Sequence, residues 1–429
     1  MRLWCLGLLY VTCLLPSAVS AQTSGTGATN GGSPLTLDAA IAEALDKNLD
    51  LIATRAGVSI AEANAITARL RPNPVLSLDG NHLDWLGTGF NAENGGGPVE
   101  YGARVDFLIE RGGKRTQRIE LASEDRAIAE AAVLDAVRTL RLDVQDAFVD
   151  LQLAQDNLAL ARENAAAFTE IVTLNNARVE SGDLAEVELL RSRIAALQSQ
   201  QAIRKAELEV RKARQHLERV LSRAPGVVPI DVEPLARPPA ITSDATTLRA
   251  RALAVRPDLL ALQRTRARSQ AEIRLQLAQG QIDFTVGAEY RRQTVTGHSN
   301  SVGLFFSAPL PLFDRNQGNL ARARQEDQQA DVRVQQLERV VAADVDLAVA
   351  QYAAADASLI SVETDMLTQA RDVRAITDYA YRRGQATLIE FLDAQRAFNE
   401  TMQAWNEARA EYARSVFLVR AAVGDVTTP

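Results

Sequence analysis

Cysteine is missing from all but the first thirteen residues of this 429-residue chain, where Cys5 and Cys13 are the two present. Downstream of them a disulfide scaffold, a cysteine nucleophile and a thiolate metal site are all excluded. Histidine is nearly as scarce. His82, His216 and His298 fall in a loop, a helix and a turn, and none has a ligand-like neighbour at helical spacing. Charges of both signs are interspersed, with a net charge of −7 and no basic block of the kind that follows a phosphate backbone. Nucleic acid is therefore not a partner. Phosphate loops are missing too: Gly112-Gly113-Lys114-Arg115 lacks the first glycine of that motif. There is no dinucleotide fingerprint and no nucleophile elbow. With no convergence of acid, base, nucleophile or metal ligand, we expect no catalytic residue, no cofactor, no metal site and no enzyme. Finally, no run of eighteen or more apolar residues follows residue 21. A membrane-spanning helix is not expected, so a crossing requires a closed β-barrel.

What is present is repetitive. Aromatics are only 5 % and charged residues 24 %, with Ala, Leu, Arg, Glu and Gln recurring throughout, a composition that suits long helices or coiled coils. Residues 1–21 read as a secretory signal: Arg2 opens it, Leu3 to Leu15 is apolar, and Ser17-Ala18-Val19-Ser20-Ala21 supplies small residues for cleavage. Thr12 before Cys13 argues against a lipidated N-terminus. Residues 22–34 are rich in Gly, Ser, Thr and Asn and are expected to be flexible. One structural plan then occurs twice, over 35–224 and 243–424, around a proline-rich linker at 225–242 that is expected to pack on the outside. Residues 425–429 form a tail.

Each copy opens with short helices, at Asn48-Leu49-Asp50-Leu51 and Arg256-Pro257-Asp258-Leu259. Two strand-like segments follow in each. In the second copy Ile282, Phe284, Val286, Ala288 and Tyr290 alternate with Asp283, Thr285, Gly287, Glu289 and Arg291, the apolar-out, polar-in pattern of a barrel strand. A half-buried sheet in a globular domain has the same period, so alternation alone leaves both open. The two strands of the first copy flank a long polar loop, 81–98, that holds Trp85 and Phe90. Four strands per chain cannot close a barrel with room inside, so a barrel needs several chains.

Long helices complete each copy. Val137, Leu140, Val144, Ala147, Leu151, Ala154, Leu158, Ala161, Ala165, Phe168, Val172, Asn175 and Val179 step by alternating threes and fours. The second copy repeats this from Val341 to Ala380, through Met366, Gln369, Val373 and Ile376, and again from Leu388 to Val423. A sustained 3.5-residue period keeps a narrow apolar seam against a partner helix. Gly182 and Gly384 mark where each helix turns back, because glycine ends a helix at low cost in a left-handed cap. The fold class expected is mainly α with a membrane β-barrel: long antiparallel coiled-coil hairpins plus four strands per chain.

This plan resembles the TolC-like outer-membrane efflux proteins, over nearly the whole chain from Leu35 to Gly424. Glu110-Arg111-Gly112-Gly113-Lys114-Arg115 and Pro309-Leu310-Pro311-Leu312-Phe313-Asp314-Arg315-Asn316-Gln317-Gly318 resemble the strand-to-helix junctions of the cobalt–zinc–cadmium branch, with Arg111 standing where that branch would place an aliphatic residue. The resemblance implies a homotrimer, a trimeric α/β barrel anchored in outer-membrane lipid and extending into the periplasm. It implies a periplasmic adaptor (membrane fusion) protein and an inner-membrane RND pump as partners, and a passive exit duct for divalent heavy metals. Multidrug efflux or type I secretion by the same fold, or a periplasmic coiled-coil scaffold, are the alternatives. Leu388-Ile389-Glu390-Phe391-Leu392-Asp393-Ala394 resembles the segment where such channels narrow, which implies a gate at Glu390 and Asp393. The hairpin tips resemble the adaptor-contact ends: Arg178, Gly182, Asp183 and Leu184 in one, Arg383, Gly384, Gln385, Ala386 and Thr387 in the other.

Overall fold

A computed structural model describes residues 34–83, 85, 87, 99–224, 230–293 and 299–425. The expectations for the secretory signal, residues 22–33, Phe90, His298 and the last four residues lie outside the described residues.

Each copy begins with a helix pair bent at a capping residue. Helix α1 (Leu37–Lys47) runs into α2 (Leu49–Arg69) at Asn48, which closes the first and opens the second. The Asn48 side chain accepts from Leu51 N at 3.0 Å and donates to the Val220 carbonyl at 2.9 Å. It thus satisfies one of the orphan amides at the start of α2 and fixes the pair to the end of α4 (Glu186–Val220). In the second copy α5 (Ala245–Val255) meets α6 (Pro257–Gln279) at Arg256, with Pro257 at the first helical position, where its missing N–H costs nothing. Buried Arg256 is held by Asp258 at 2.6 Å and Asp344 at 3.0 Å.

The long elements are α3 (Lys114–Glu180) with α4 (Glu186–Val220), and α7 (Gln317–Ser361), a π turn (Val362–Met366) and α8 (Leu367–Arg382) with α9 (Leu388–Val423). At 67 residues α3 spans roughly 100 Å. Its seam is buried where the 3.5-residue period places it: Leu140, Val144, Ala147, Leu151, Ala154, Ala165, Phe168 and Asn175. Val144, Ala147, Phe148 and Leu151 pack with Ala40, Ile41, Leu51, Val210 and Leu217 into the main apolar cluster. In the second hairpin Val341, Val345 and Ala348 pack with Leu248, Ala252, Val419 and Val423.

Below the π turn the seam departs from the expected positions. Met366, Val373 and Ile376 are exposed, whereas Leu367 and Tyr381 are buried and Ala370, Arg374 and Thr377 half-buried. The whole row has moved on by one residue. A π turn holds one residue more than an α turn and so rotates everything after it by about 100°.

The linker also differs from expectation. Ile230 and Val232 are buried in the main cluster rather than lying outside it. An extended segment points alternate side chains to opposite faces. Here Leu35 N donates to Asp231 O at 2.8 Å and Glu233 N to Leu35 O at 3.0 Å, which turns the apolar pair inward. One helical stretch, Gln317–Arg382, does meet the length and composition of a membrane-crossing helix, with a mean hydropathy of 1.2 over its best window. Its buried Val341, Val345 and Ala348 already have protein partners in α5 and α9.

The four strands, β1 (Val75–Asn81), β2 (Glu100–Ile109), β3 (Phe284–Gln293) and β4 (Ser299–Ser307), form one antiparallel sheet in that order. β2 and β3 join the two copies, from Glu100 opposite Gln293 to Ile109 opposite Phe284. β1 and β4 are free edges. One face carries Leu76, Leu78, Tyr101, Val105, Phe107, Val286, Tyr290, Val302, Leu304 and Phe306; the other carries Asp79, Glu100, Arg104, Asp106, Glu289 and Arg291. Arg291 binds Glu289 at 2.7 Å and Glu100 at 2.9 Å, and Arg104 binds Asp106 at 2.8 Å. Gly102 and Gly287 sit beside Asp79 and Asp106, and a Cβ at either would collide with the carboxylate.

All four strands meet helices at the same end. There Lys114 is buried, with Nζ 2.6 Å from Asp283 and 2.8 Å from the Gln281 carbonyl. Gly112 and Gly113 both take left-handed φ, as does Asn316 at the second junction. The lysine of the phosphate-loop-like run is thus a structural bolt between strand β3 and helix α3.

Candidate functional site

The candidate site residues lie at the end of the helical hairpins farthest along the chain from the sheet. Both turns use one backbone device. In the first, Gly182 has φ +83°, Gly182 N donates to Val179 O at 3.1 Å and Asp183 N to Arg178 O at 2.8 Å. In the second, Gly384 has φ +74°, Gly384 N donates to Tyr381 O at 3.0 Å and Gln385 N to Ala380 O at 2.8 Å. This is the left-handed cap that saturates the last helical carbonyls, and it requires a residue without a Cβ penalty.

The structure joins the two tips. Arg178 donates to the carbonyls of Arg382 at 2.7 Å and Tyr381 at 3.2 Å, and its guanidinium lies 5.5 Å from the Tyr381 ring centre. A cation on the exposed carbonyls that end α8 also complements the helix dipole. One turn earlier on α3, fully buried Asn175 accepts from the Tyr381 hydroxyl at 2.6 Å. Burial raises the Tyr381 pKa, so the phenol stays protonated and remains a donor. Phe391 stacks on Tyr381 at 5.2 Å and meets Phe168 edge-on at 6.4 Å, and Leu388 and Ile171 complete the cluster. Sequence reasoning placed Asn175 as the polar break in the seam and missed Tyr381. The shift of the seam by the π turn hid it.

The remaining tip residues are exposed, except Leu184 and Ala386, which are half-buried. Asp183 accepts from Ser181 Oγ at 2.9 Å, and the Arg383 guanidinium lies 4.8 Å from the Tyr379 ring. Thr387 and Glu390 form a reciprocal cap on α9. The Glu390 carboxylate accepts from Thr387 N at 2.7 Å and Thr387 Oγ1 at 2.9 Å, while Thr387 Oγ1 accepts from Glu390 N at 3.3 Å. The backbone hydrogen bond from Thr387, then the hydroxyl, hold the Glu390 carboxyl below its usual range. The signal was legible as Thr-x-x-Glu before an apolar run. Asp393, one turn on, is exposed, with Arg396 at 3.8 Å. Of the two acids expected at the gate, Asp393 has the freer carboxylate. Among the described residues no group of three or more His, Cys, Asp or Glu is placed to hold a metal ion.

Comparison with known proteins agrees with this architecture. The family described as outer membrane efflux protein matches residues 40–223 and 248–425. The cobalt-zinc-cadmium resistance protein CzcC of Cupriavidus metallidurans is 27 % identical over 403 residues, covering 90 % of this chain and 91 % of that one. The nickel-cobalt-cadmium resistance protein NccC of Alcaligenes xylosoxydans xylosoxydans is 26 % identical over 307 residues, covering 70 % and 66 %. Among solved structures CusC, described as forming a transmembrane channel, superposes with a TM-score of 0.75 at 19 % identity, over 90 % of this chain and 91 % of that one.

Proposed function

This chain belongs to the outer membrane efflux protein family, and we propose that it is the passive exit duct of a tripartite pump, carrying divalent heavy-metal cations across the outer membrane. The observation that carries this reading is the four-stranded sheet, which is free at both edges and apolar on one face except at Arg292 and Asn300, at the end away from the helices. Such a sheet has no use alone in water, and its open edges are a liability unless another chain pairs with them. Joining β4 of one copy to β1 of the next closes a barrel. Three copies give an apolar outside and an Arg–carboxylate lining. Apolar rows left uncovered on α4, at Val187, Leu190, Ile194 and Leu197, and on α8, at Val373 and Ile376, suit neighbours in the same ring.

Energy comes from an inner-membrane RND pump, coupled through a periplasmic adaptor that docks on the tips at Arg178, Gly182, Asp183 and Leu184 and at Arg383, Gly384, Gln385, Ala386 and Thr387. Asp393, supported by Glu390, sets a ring of like charge at the narrow end, which favours cations over anions. The metal cargo rests on the names of the two resistance-protein relatives. A duct needs no tight ligands, because chelation slows release. The test is metal and drug sensitivity of a strain lacking this protein. Selective hypersensitivity to divalent metals, restored by the intact gene, is the expected result. Sensitivity to hydrophobic drugs alone keeps the duct and removes the metal cargo.

A further inference from the structure

The junction between β4 and α7 carries apolar side chains that no other described residue covers. Leu310 is 79 % exposed, Leu312 67 % and Phe313 89 %. The segment is nonetheless held in place. Leu312 N donates to Leu310 O at 2.8 Å, Gln317 Nε2 to Phe313 O at 3.1 Å and Arg315 Nε to Pro311 O at 3.3 Å. Asn316, in the left-handed conformation, donates to Gln276 O at 2.8 Å and ties the loop to α6. An ordered loop that presents a phenylalanine and two leucines outward is built to contact something apolar.

Three observations say what. First, the loop continues the apolar face of the sheet. Val302, Leu304 and Phe306 share the outward face of β4, and exposed Leu310 follows three residues after the last paired residue, Ser307. Second, β1, which pairs with β4 of the next copy in the barrel reading, has only seven residues, whereas a strand needs about 9–11 to cross the hydrocarbon region. The loop supplies the missing apolar height at the helix end. Third, that end carries an aromatic cluster with cations beside it. Phe284 and Phe306 lie 5.6 Å apart on the outward face, and the Arg111 guanidinium lies 5.6 Å from the Phe284 ring. Arg315 is exposed two residues beyond Phe313. Rings at the edge of an apolar band with arginines just beyond it match the interface of a bilayer, where headgroup phosphates begin.

We propose that the Leu310–Phe313 loop is an interfacial anchor that inserts into the phospholipid leaflet facing the helices, with Arg111 and Arg315 on its headgroup phosphates. This gives Arg111 a role that an aliphatic residue there could not fill. It rests on the barrel reading above, and the test separates the two. In the full chain with Cys5→Ser and Cys13→Ser, Phe313→Cys and Leu304→Cys are each labelled with a nitroxide. The protein is placed in nanodiscs of phosphatidylethanolamine and phosphatidylglycerol. Collisions with oxygen, which enters lipid, and with a nickel chelate, which stays in water, then give the depth of each label. Leu304 is expected deep in lipid and Phe313 shallow but shielded from nickel, with Arg111→Ala plus Arg315→Ala moving Phe313 toward water. If Leu304 is in lipid while Phe313 is open to nickel, or closed to both reagents by protein, the anchor is overturned and the barrel stands. If the arginine changes leave the depth of Phe313 unaltered, the headgroup contact is overturned. If Leu304 too is open to nickel, the barrel reading fails and takes the anchor with it.

Discussion

The two helical hairpins share a turn and differ in almost everything that holds them. Gly182 and Gly384 make the same left-handed cap with the same return hydrogen bonds. Around that common turn, α3 is one unbroken helix, whereas its counterpart is interrupted by the π turn at Val362–Met366. α4 is preceded by Ala185, which has no capping side chain, and α9 by Thr387, which forms a complete capping box. Mid-height aspartates differ as well. On α7, Asp344, Asp346 and Asp356 each meet an arginine: Arg256, Arg249 and Arg237. On α3, Asp150 and Asp156 also meet arginines, Arg414 and Arg409, but burial raises the pKa of Asp143 and Asp146. Backbone geometry was kept in both copies because no alternative residue makes that turn cheaply. Side-chain fixings, which many residues can supply, were free to diverge.

The comparison breaks most easily where the hairpins meet. Phe391→Ala removes a ring packed between Phe168 and Tyr381. It should cost about 3–5 kcal/mol, as large-to-small changes in a core do. Thermal unfolding of the purified protein measures this, and a change under 1 kcal/mol would mean that the cluster is not packed as described. Tyr381→Phe deletes only the hydroxyl that reaches Asn175. A buried polar group left without its partner costs about 1–3 kcal/mol. Asn175→Leu combined with Tyr381→Phe should recover part of the loss, since both polar ends are then gone. If the tips are joined mainly through Arg178, the double variant will instead match Tyr381→Phe.

The long seams, the four strands and both hairpin turns were legible because each follows from a period or from a glycine. Val144, Val345 and Leu388 could be placed by counting. The count failed from Met366 to Ala380, where one extra residue in the π turn moves the row to Leu367, Arg374 and Tyr381. No local residue type announces such a turn. Burial of Ile230 and Val232 was hidden for a different reason: prolines signal a break in helix without saying which way the extended chain faces. At the tips, sequence reasoning located the hairpin turns but read Glu390 only as a charge. Its bond to Thr387 was written in the spacing. The Arg178 contacts to the Tyr381 and Arg382 carbonyls join residues about two hundred positions apart, and nothing local encodes them.

The aspartates offer a sharper version of the comparison through pH. Burial, then the nearby Asp150, push Asp146 up to about 6, and Arg414 opposes them only in part. Ionising Asp146 is harder in the folded chain than in the unfolded one, so its contribution to stability is fully present below pH 4 and declines as pH rises through about 6. Asp146→Asn should therefore raise the unfolding midpoint at pH 8 and leave it unchanged at pH 4. Asp346→Asn, which removes an exposed pair with Arg249, should lower the stability at pH 8 by less than about 1 kcal/mol. Equal effects at the two sites would show that the hairpins carry their charge in the same way after all.

The smallest difference is the most direct to exchange. Thr387→Ala deletes the hydroxyl that accepts from Glu390 N and should cost about 1 kcal/mol. The reverse can be written into the first hairpin, because Glu188 already stands three residues after Ala185, as Glu390 does after Thr387. Ala185→Thr should complete a capping box there and return roughly 0.5–1 kcal/mol. Hydrogen exchange at the first turns of α4 and α9 reads both changes locally, slower in the one and faster in the other. If Ala185→Thr gives no protection, the extended backbone at that position is doing something other than capping, and the cap on α9 depends on its own surroundings rather than on the Thr-x-x-Glu spacing alone.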